Sequence, residues 1–329
     1  MNGGRAAAIA IAAITTLGFA ELSIGVVAPS FDPRQQIHFT DIDGRVPIAM
    51  PNTVTRQVKN TGDYDVTIHV NRYGFRDPKD IATAGPHDYV LVGDSYGFGW
   101  GVEEGERLSD QLEKRLGARV FNIAITGNFD TYQDLLDYAA RQGANIRKVI
   151  VCVAMESDLQ RYDEAPLAPP VASPSQDFFE LKAKLMRNVG LYFLVTAAVH
   201  RIPLLEELAV RAHLVVPNLE GVSSAKFDPK VVDSAAERLA RLARRYETTV
   251  VLLPSRALWH GDTKEDERLT HEMFATRLRT LGVDVVDLRS AFERGGNPLQ
   301  YHFRGDPHWN KAGNALAADI VAAHLAVGR

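Results

Sequence analysis

Three short segments hold residue types that can carry out nucleophilic chemistry if the fold brings them together. Gly93-Asp94-Ser95-Tyr96-Gly97 sets a serine between glycines at the end of a short apolar run, residues 88–92. Such a turn exposes a hydroxyl at a helix N-terminus, where backbone amides and the helix dipole favour developing negative charge. Arg304-Gly305-Asp306-Pro307-His308-Trp309-Asn310 sets an aspartate two residues before a histidine. A general base needs a carboxylate to orient its second nitrogen, and Asp306 with His308 supplies both parts. Asn122-Ile123-Ala124-Ile125-Thr126-Gly127-Asn128 contributes Gly127, whose N–H no side chain obstructs. Each segment alone also has an ordinary reading, as a serine N-cap, a polar loop or a turn glycine. Together they describe acyl transfer. Ser95 attacks an ester carbonyl, His308 carries the proton, and Asp306 holds the imidazole in the required tautomer. The Ser95 and Gly127 amides would receive the oxyanion.

The elements around these segments follow a regular pattern. Apolar runs at 88–92, 119–123, 148–154, 249–253 and 283–287 read as strands. Helical spacing at 107–116, 131–141, 233–246, 267–281 and 311–326 falls between and after them. Strands alternating with helices, and nearly continuous in apolar residues, mean a parallel sheet covered on both faces. Five such strands predict a flavodoxin-like, doubly wound α/β sheet. In that fold, ligands bind beyond the carboxyl ends of the strands. The three chemical segments fall at those ends or at the mouth of the sheet. So does Glu156-Ser157-Asp158-Leu159, after the third strand. Residues 86–329 form this domain. Residues 29–85 read as a linker with small β elements, 164–175 as a Pro- and Ser-rich loop, and 176–213 as helical. The stretch 176–229 is therefore a helical insertion. Within it, the apolar run 189–199 is too short to span a bilayer and reads as a core or interfacial helix.

The N-terminus sets the compartment. Arg5 precedes residues 6–27, an apolar stretch whose one charge is Glu21. As a helix it would reach roughly 33 Å, enough for a hydrocarbon core of about 30 Å. The positive flank favours an N-in orientation with the rest of the chain outside the cytoplasm. The alternative is a secretory signal cleaved after Gly18-Phe19-Ala20, which would leave Glu21 at the mature N-terminus. Residues 1–28 are thus an anchor or a signal segment, and both readings export the protein.

Composition narrows the partners. The net charge of −4 has no clustered basic surface to suggest nucleic acid. The single cysteine, Cys152, makes no internal disulfide. The other histidines lack metal-ligand spacing, so no metal or organic cofactor is expected. Arg256, just past the fourth strand, is a candidate contact for an anionic substrate. Trp309 reads first as core packing, with a sugar-stacking wall as its second, candidate role. Asn128 is a further candidate at the site.

In their order and spacing the segments resemble the blocks of the SGNH/GDSL hydrolase superfamily. Gly93-Asp94-Ser95 matches the nucleophile block. Gly127, with Asn122 and Gln133 nearby, matches the glycine block, and Asp306-Pro307-His308-Trp309-Asn310 the Asp-His block. Asn71-Arg72-Tyr73-Gly74-Phe75-Arg76-Asp77 is similar to membrane-anchored bacterial members. The resemblance covers about residues 66–325. It departs from the family at the third block, where Ser157 stands in place of an asparagine oxyanion donor. The short Asp-x-His spacing followed by tryptophan is similar to the alginate O-acetyltransferase-like branch. This implies an exported serine esterase or O-acyltransferase acting on acylated cell-envelope glycans, held to the membrane by residues 6–27. The competing reading is a non-catalytic subunit of the same fold, docked in a membrane protein assembly. The Ser157 departure and the apolar N-terminus motivate it. Retention of Ser95, Asp306 and His308 speaks against it.

Overall fold

The computed structural model describes residues 3–164, 181, 184–212, 214 and 225–327. Most of the expected loop 164–175, and residues 176–180, 182, 183 and 213 of the expected helical stretch, lie outside the described residues. The main elements in chain order are α1 (Gly3–Val27), β1 (Phe39–Ile42), β2 (Val46–Ala49), β3 (Val54–Val58), β4 (Asp65–His69), β5 (Tyr89–Gly93), α2 (Ser95–Phe98) and α3 (Leu108–Leu116). There follow β6 (Val120–Asn122), α4 (Phe129–Arg141), β7 (Lys148–Ala154), α5 (Gly190–Arg201), α6 (Pro203–Arg211) and α7 (Pro229–Ala243). The chain ends with β8 (Glu247–Leu253), α8 (Lys264–Thr280), β9 (Asp284–Asp287), α9 (Arg289–Glu293) and α10 (Lys311–Val327). The described residues divide into two compact units. One takes its residues from Met1–Gln36, Thr55–Asp65 and Leu167–Val215, the other from Ile37–Val54, Val66–Pro166 and Val216–Arg329.

The second unit holds the expected five-stranded parallel sheet, in the order β6-β5-β7-β8-β9. Its central strands are apolar almost throughout because both faces are buried. Every residue of β5 is buried, as are all of β7 after Lys148. From β5 the chain winds outward to β6, then crosses to the other side for β7. The strand order therefore reverses between β5 and β7, where doubly wound sheets open a crevice at their carboxyl ends. Gly93 ends β5 opposite Cys152 of β7. A Cβ at Gly93 would lie 2.7 Å from Cys152 Cβ and 2.8 Å from its carbonyl oxygen. Only glycine lets the strand that delivers Ser95 lie this close to β7. Cys152 itself is fully buried in the core, as its place in an apolar strand implied.

Helix starts differ from the apolar periodicity where a polar cap lies further upstream. Helix α4 begins at Phe129 rather than 131, because the Asn128 carboxamide accepts the N–H groups of Asp130 at 3.0 Å and Thr131 at 3.2 Å. Helix α7 begins at Pro229 rather than 233, with Asp228 accepting from Lys230 N–H at 2.9 Å. The antiparallel hairpin β1–β2, paired from Phe39 with Ala49 to Ile42 with Val46, belongs to the same unit as the sheet.

Candidate active site

Ser95 opens α2 directly after β5, and its hydroxyl lies 2.7 Å from His308 Nε2. The other ring nitrogen, Nδ1, hydrogen-bonds Asp306 Oδ1. The same carboxylate oxygen accepts the His308 backbone N–H at 3.0 Å. That double contact follows from the short Asp-Pro-His spacing, which folds the carboxylate back over its own loop. Asp306 is 3% exposed, so little water competes for it. With Nδ1–H donated to Asp306, Nε2 is free to accept the serine proton.

Aromatic rings hold the imidazole in place. The Tyr96 ring centroid is 4.8 Å from that of His308, and Trp100 lies at 5.6 Å in a near-parallel stack. The Tyr96 hydroxyl donates to the Pro307 carbonyl at 2.9 Å, tying the serine turn to the histidine loop across 211 residues of sequence. Phe39 of β1 lies nearly parallel to Trp100, at 10° with centroids 6.4 Å apart.

The serine turn is braced from below. Asp94 caps α2 by accepting Tyr96 N–H at 2.9 Å. Asn122 donates to the Gly97 carbonyl at 2.8 Å and to Ser109 Oγ at 3.0 Å. The segment 71–77 buttresses these parts. Arg76 donates to the carbonyls of Gly99 at 2.5 Å and Val102 at 2.6 Å, and Asp77 accepts Asn122 N–H at 2.6 Å. Arg107, fully buried, forks onto Asp110 at 2.7 and 2.8 Å and donates to the Arg76 carbonyl. These two arginines fix the loop that carries Trp100.

The remaining expected site residues fall into different places. Gly127 is exposed in the loop before α4. The Ser157 hydroxyl lies 3.4 Å from Asp94 Oδ2 and 3.3 Å from Asp158 Oδ1, so two carboxylates already claim its proton. The Asn128 oxygen is taken up by the α4 cap. Arg256 is 7% exposed, and its Nε and Nη1 have no hydrogen-bond partner among the described residues. Trp309 is 2% exposed and packs against Phe292 and Tyr96. Its bridge to His302 runs through the core, so it offers no wall to a sugar. The aromatic surface beside His308 belongs instead to Trp100 and Phe39, neither of which the sequence reading selected. A tryptophan among glycines five residues past the serine, in Gly97-Phe98-Gly99-Trp100-Gly101, was the available signal.

Burial raises the Asp94 pKa to about 6, against the charge of His308 and hydrogen bonds from Tyr96 N–H and Ser157. Burial also raises Asp158, with Asp94 adding to the effect. Burial, reinforced by the charge of Arg256, lowers His302 to about 3, so it is neutral at pH 7. Asp94 thus binds its proton more tightly in the folded chain than in the unfolded chain, where its value is near 3.8. Its contribution to stability is full below that value and lost as pH rises through about 6. The Asp94→Asn variant keeps the cap and removes this titration. Urea unfolding between pH 4 and pH 7 should show the wild type losing on the order of 2–3 kcal/mol more than the variant. Equal slopes would mean that Asp94 is ionised across the whole range.

Fold and site together define a doubly wound α/β domain that holds a serine, a histidine and an aspartate in one hydrogen-bonded chain at the carboxyl edge of its sheet. More particularly, residues 221–328 match the family model described as "SGNH hydrolase-like domain, acetyltransferase AlgX". That stretch holds Asp306 and His308, while Ser95 lies outside it. No curated protein matches the chain. Among solved structures, the chain is similar to a member of the lipolytic protein G-D-S-L family from Veillonella parvula, at 11% identity. That match covers 74% of this chain and 98% of the other, with a TM-score of 0.41. It is similar to the lipase/acylhydrolase from Enterococcus faecalis at 10% identity, covering 72% and 95%, with a TM-score of 0.39. It is also similar to the C-terminal catalytic domain of Streptococcus pneumoniae peptidoglycan O-acetyltransferase A at 13% identity, covering 74% and 95%, with a TM-score of 0.34.

Proposed function

We propose that the protein is a serine-dependent esterase or O-acyltransferase acting on acyl groups, acetyl foremost, of cell-envelope glycans. An SGNH hydrolase-like domain supports that class of activity. The observation that carries the reading is the Ser95–His308–Asp306 chain, with Ser95 Oγ 2.7 Å from His308 Nε2 at the carboxyl edge of the sheet. Ser95 attacks the ester carbonyl and its proton passes to His308 Nε2. Asp306 stabilises the resulting imidazolium. The Ser95 and Gly127 N–H groups receive the oxyanion, and Ser157 contributes only by leaving its carboxylate partners. Collapse of the tetrahedral intermediate expels the alcohol, protonated by His308, and leaves an acyl-Ser95 ester. Water or a sugar hydroxyl then resolves that ester, with His308 again taking the proton. Helix α1 holds the domain at the outer side of the membrane.

The glycan preference rests on the aromatic rings stacked outward from His308, Trp100 and then Phe39, of which Phe39 is 37% exposed. Rings of this kind present an apolar face to a pyranose and leave its hydroxyls to water. The two partnerless nitrogens of buried Arg256 favour an anionic group on the substrate. The test uses the full-length protein with p-nitrophenyl acetate and with an acetylated polysaccharide, measuring both free acetate and acetyl transferred to added sugar. Phe39→Ala should raise KM for the polysaccharide roughly tenfold and leave small-ester turnover within about twofold. A folded protein that neither hydrolyses nor transfers acetyl from any of these donors would overturn the reading.

A further inference from the structure

Glu21 is the one charge in the apolar stretch of α1, and the fold supplies its partner. Its two carboxylate oxygens accept the backbone N–H groups of Gly190 and Leu191, each at 2.8 Å. These are the first residues of α5, whose leading N–H groups have no partner inside the helix and whose dipole favours an anion there. The packing around the contact is close. A Cβ on Gly190 would lie 2.8 Å from Ile24 Cγ2 and 3.0 Å from the Phe31 carbonyl oxygen, so a side chain there would push the two helices apart. Phe193 meets Phe31 edge-on at 5.5 Å, and Arg201 at the far end of α5 donates to the carbonyls of Asn60 and Lys59. Ile24 is 6% exposed, whereas Leu17, Phe19, Leu22, Val26 and Val27 are all more than half exposed. All of these residues lie in one compact unit.

From these contacts we infer that α1 is retained in the mature protein, and that the α5–α6 pair is a second membrane-contacting element latched to it by Glu21. The apolar stretch Ala7–Val27 is long enough to cross a bilayer. At 1.5 Å per residue, Glu21 sits roughly 9 Å inside its outer end. A lone carboxylate at that depth is costly, and two helix-end N–H donors offset much of the cost. The N-terminus of α5 must then lie at the same level, in the outer interfacial layer. Its composition suits that place. From Gly190 to Val199 the only side chains with a polar group are Tyr192 and Thr196, and the Thr196 hydroxyl donates to the Phe193 carbonyl at 2.8 Å within the helix. Val195, Ile202, Leu204 and Leu208 are about half exposed or more. Leu204 and Leu208, one turn apart on α6, share a face, while Glu207 and Arg211 pair with each other. Glu207 and Arg211 flank these leucines on the same exposed side of α6. Exposed apolar side chains with a charged pair beside them, in one compact unit with a helix long enough to span, suit a segment in the lipid interface whose charged ends reach the headgroups. Cleavage after Ala20 would separate Glu21 from α1 and place a cationic terminus against the positive end of α5.

The test uses the full-length chain in phosphatidylethanolamine–phosphatidylglycerol vesicles. Cys152 is fully buried, so one introduced cysteine can be labelled selectively. An environment-sensitive fluorophore on Leu208→Cys should be strongly quenched by lipid-borne nitroxides. Aqueous iodide should quench the same label weakly. Adding Glu21→Ala to Leu208→Cys should reduce the lipid-borne quenching severalfold, and N-terminal sequencing of protein from expressing membranes should find the residues before Glu21. A label at 208 quenched by iodide as strongly as by lipid-borne nitroxides overturns the interfacial placement. Quenching unaffected by Glu21→Ala overturns the latch, and a mature chain beginning at Glu21 overturns retention.

Discussion

Replacing Ser95 by alanine should lower ester turnover by about 10⁴- to 10⁶-fold while leaving the fold unchanged. The effect is large because the serine oxygen is the atom that would form the covalent bond, and no neighbouring group stands in its place. Its structural cost is small. The Ser95 hydroxyl contacts His308, while the α2 cap is made by Asp94 and the loop is held by Arg76 and Asn122. Residual turnover should come only from oxyanion contacts and binding, which explains why the loss is not total. The assay is p-nitrophenyl acetate hydrolysis beside near-ultraviolet circular dichroism, with a fluorophosphonate probe that labels wild type and not the variant. If the folded variant retained turnover within about tenfold of wild type, Ser95 would not be the nucleophile, since a tenfold change is only about 1.4 kcal/mol of barrier.

Replacing Arg107 by alanine should destabilise the protein by about 3–5 kcal/mol, the range for breaking a buried ion pair from one side. Arg107 is fully buried, and Asp110 keeps only 12% of its side chain exposed. Removing the guanidinium leaves that carboxylate without its fork and the Arg76 carbonyl without its donor. Burial of Asp110 opposes its charge, but Arg107 more than compensates and holds its pKa below the ordinary value. The variant should therefore lose that depression. Activity should fall further than the fraction unfolded predicts, because Arg76 and Arg107 together hold the loop that sets Trp100 against the His308 imidazole. Chemical denaturation and activity measured at a denaturant-free reference pH would check both parts. A loss below about 1 kcal/mol would place the pair among surface-like bridges that contribute little.

How much of this was legible beforehand follows from the range of the forces involved. The strands were readable because continuous burial forces long apolar runs, as in Ile150–Ala154 of β7. Ser95, Asp306 and His308 were readable because their neighbours, glycine and proline, shape the turns that aim them. Trp100 and Phe39 were not, since what places them beside His308 is a brace from Arg76 and a hairpin paired far upstream. Trp309 reads first as core, which its burial bears out, and the wall stays open beside it because its polarity and position in the histidine block do not encode which way the ring turns. That direction depends on Phe292, seventeen residues away in sequence and 4.8 Å away in space. Glu21 was legible as an anomaly in an apolar helix, but its partner lies 169 residues on.

The separation of 213 positions between Ser95 and His308 also sets an order of events in time. The serine turn, α3 and β6 leave the ribosome well before the segment that carries His308. Helix α10 then packs along α3, and Asn314 accepts the Leu108 N–H at 3.1 Å. A half-made chain therefore holds Ser95 without the imidazole that lies 2.7 Å from it in the finished fold. Parallel sheets that wait on such distant contacts fold slowly. Ser95 meets the His308 ring only once the segment before α10 has docked on the sheet.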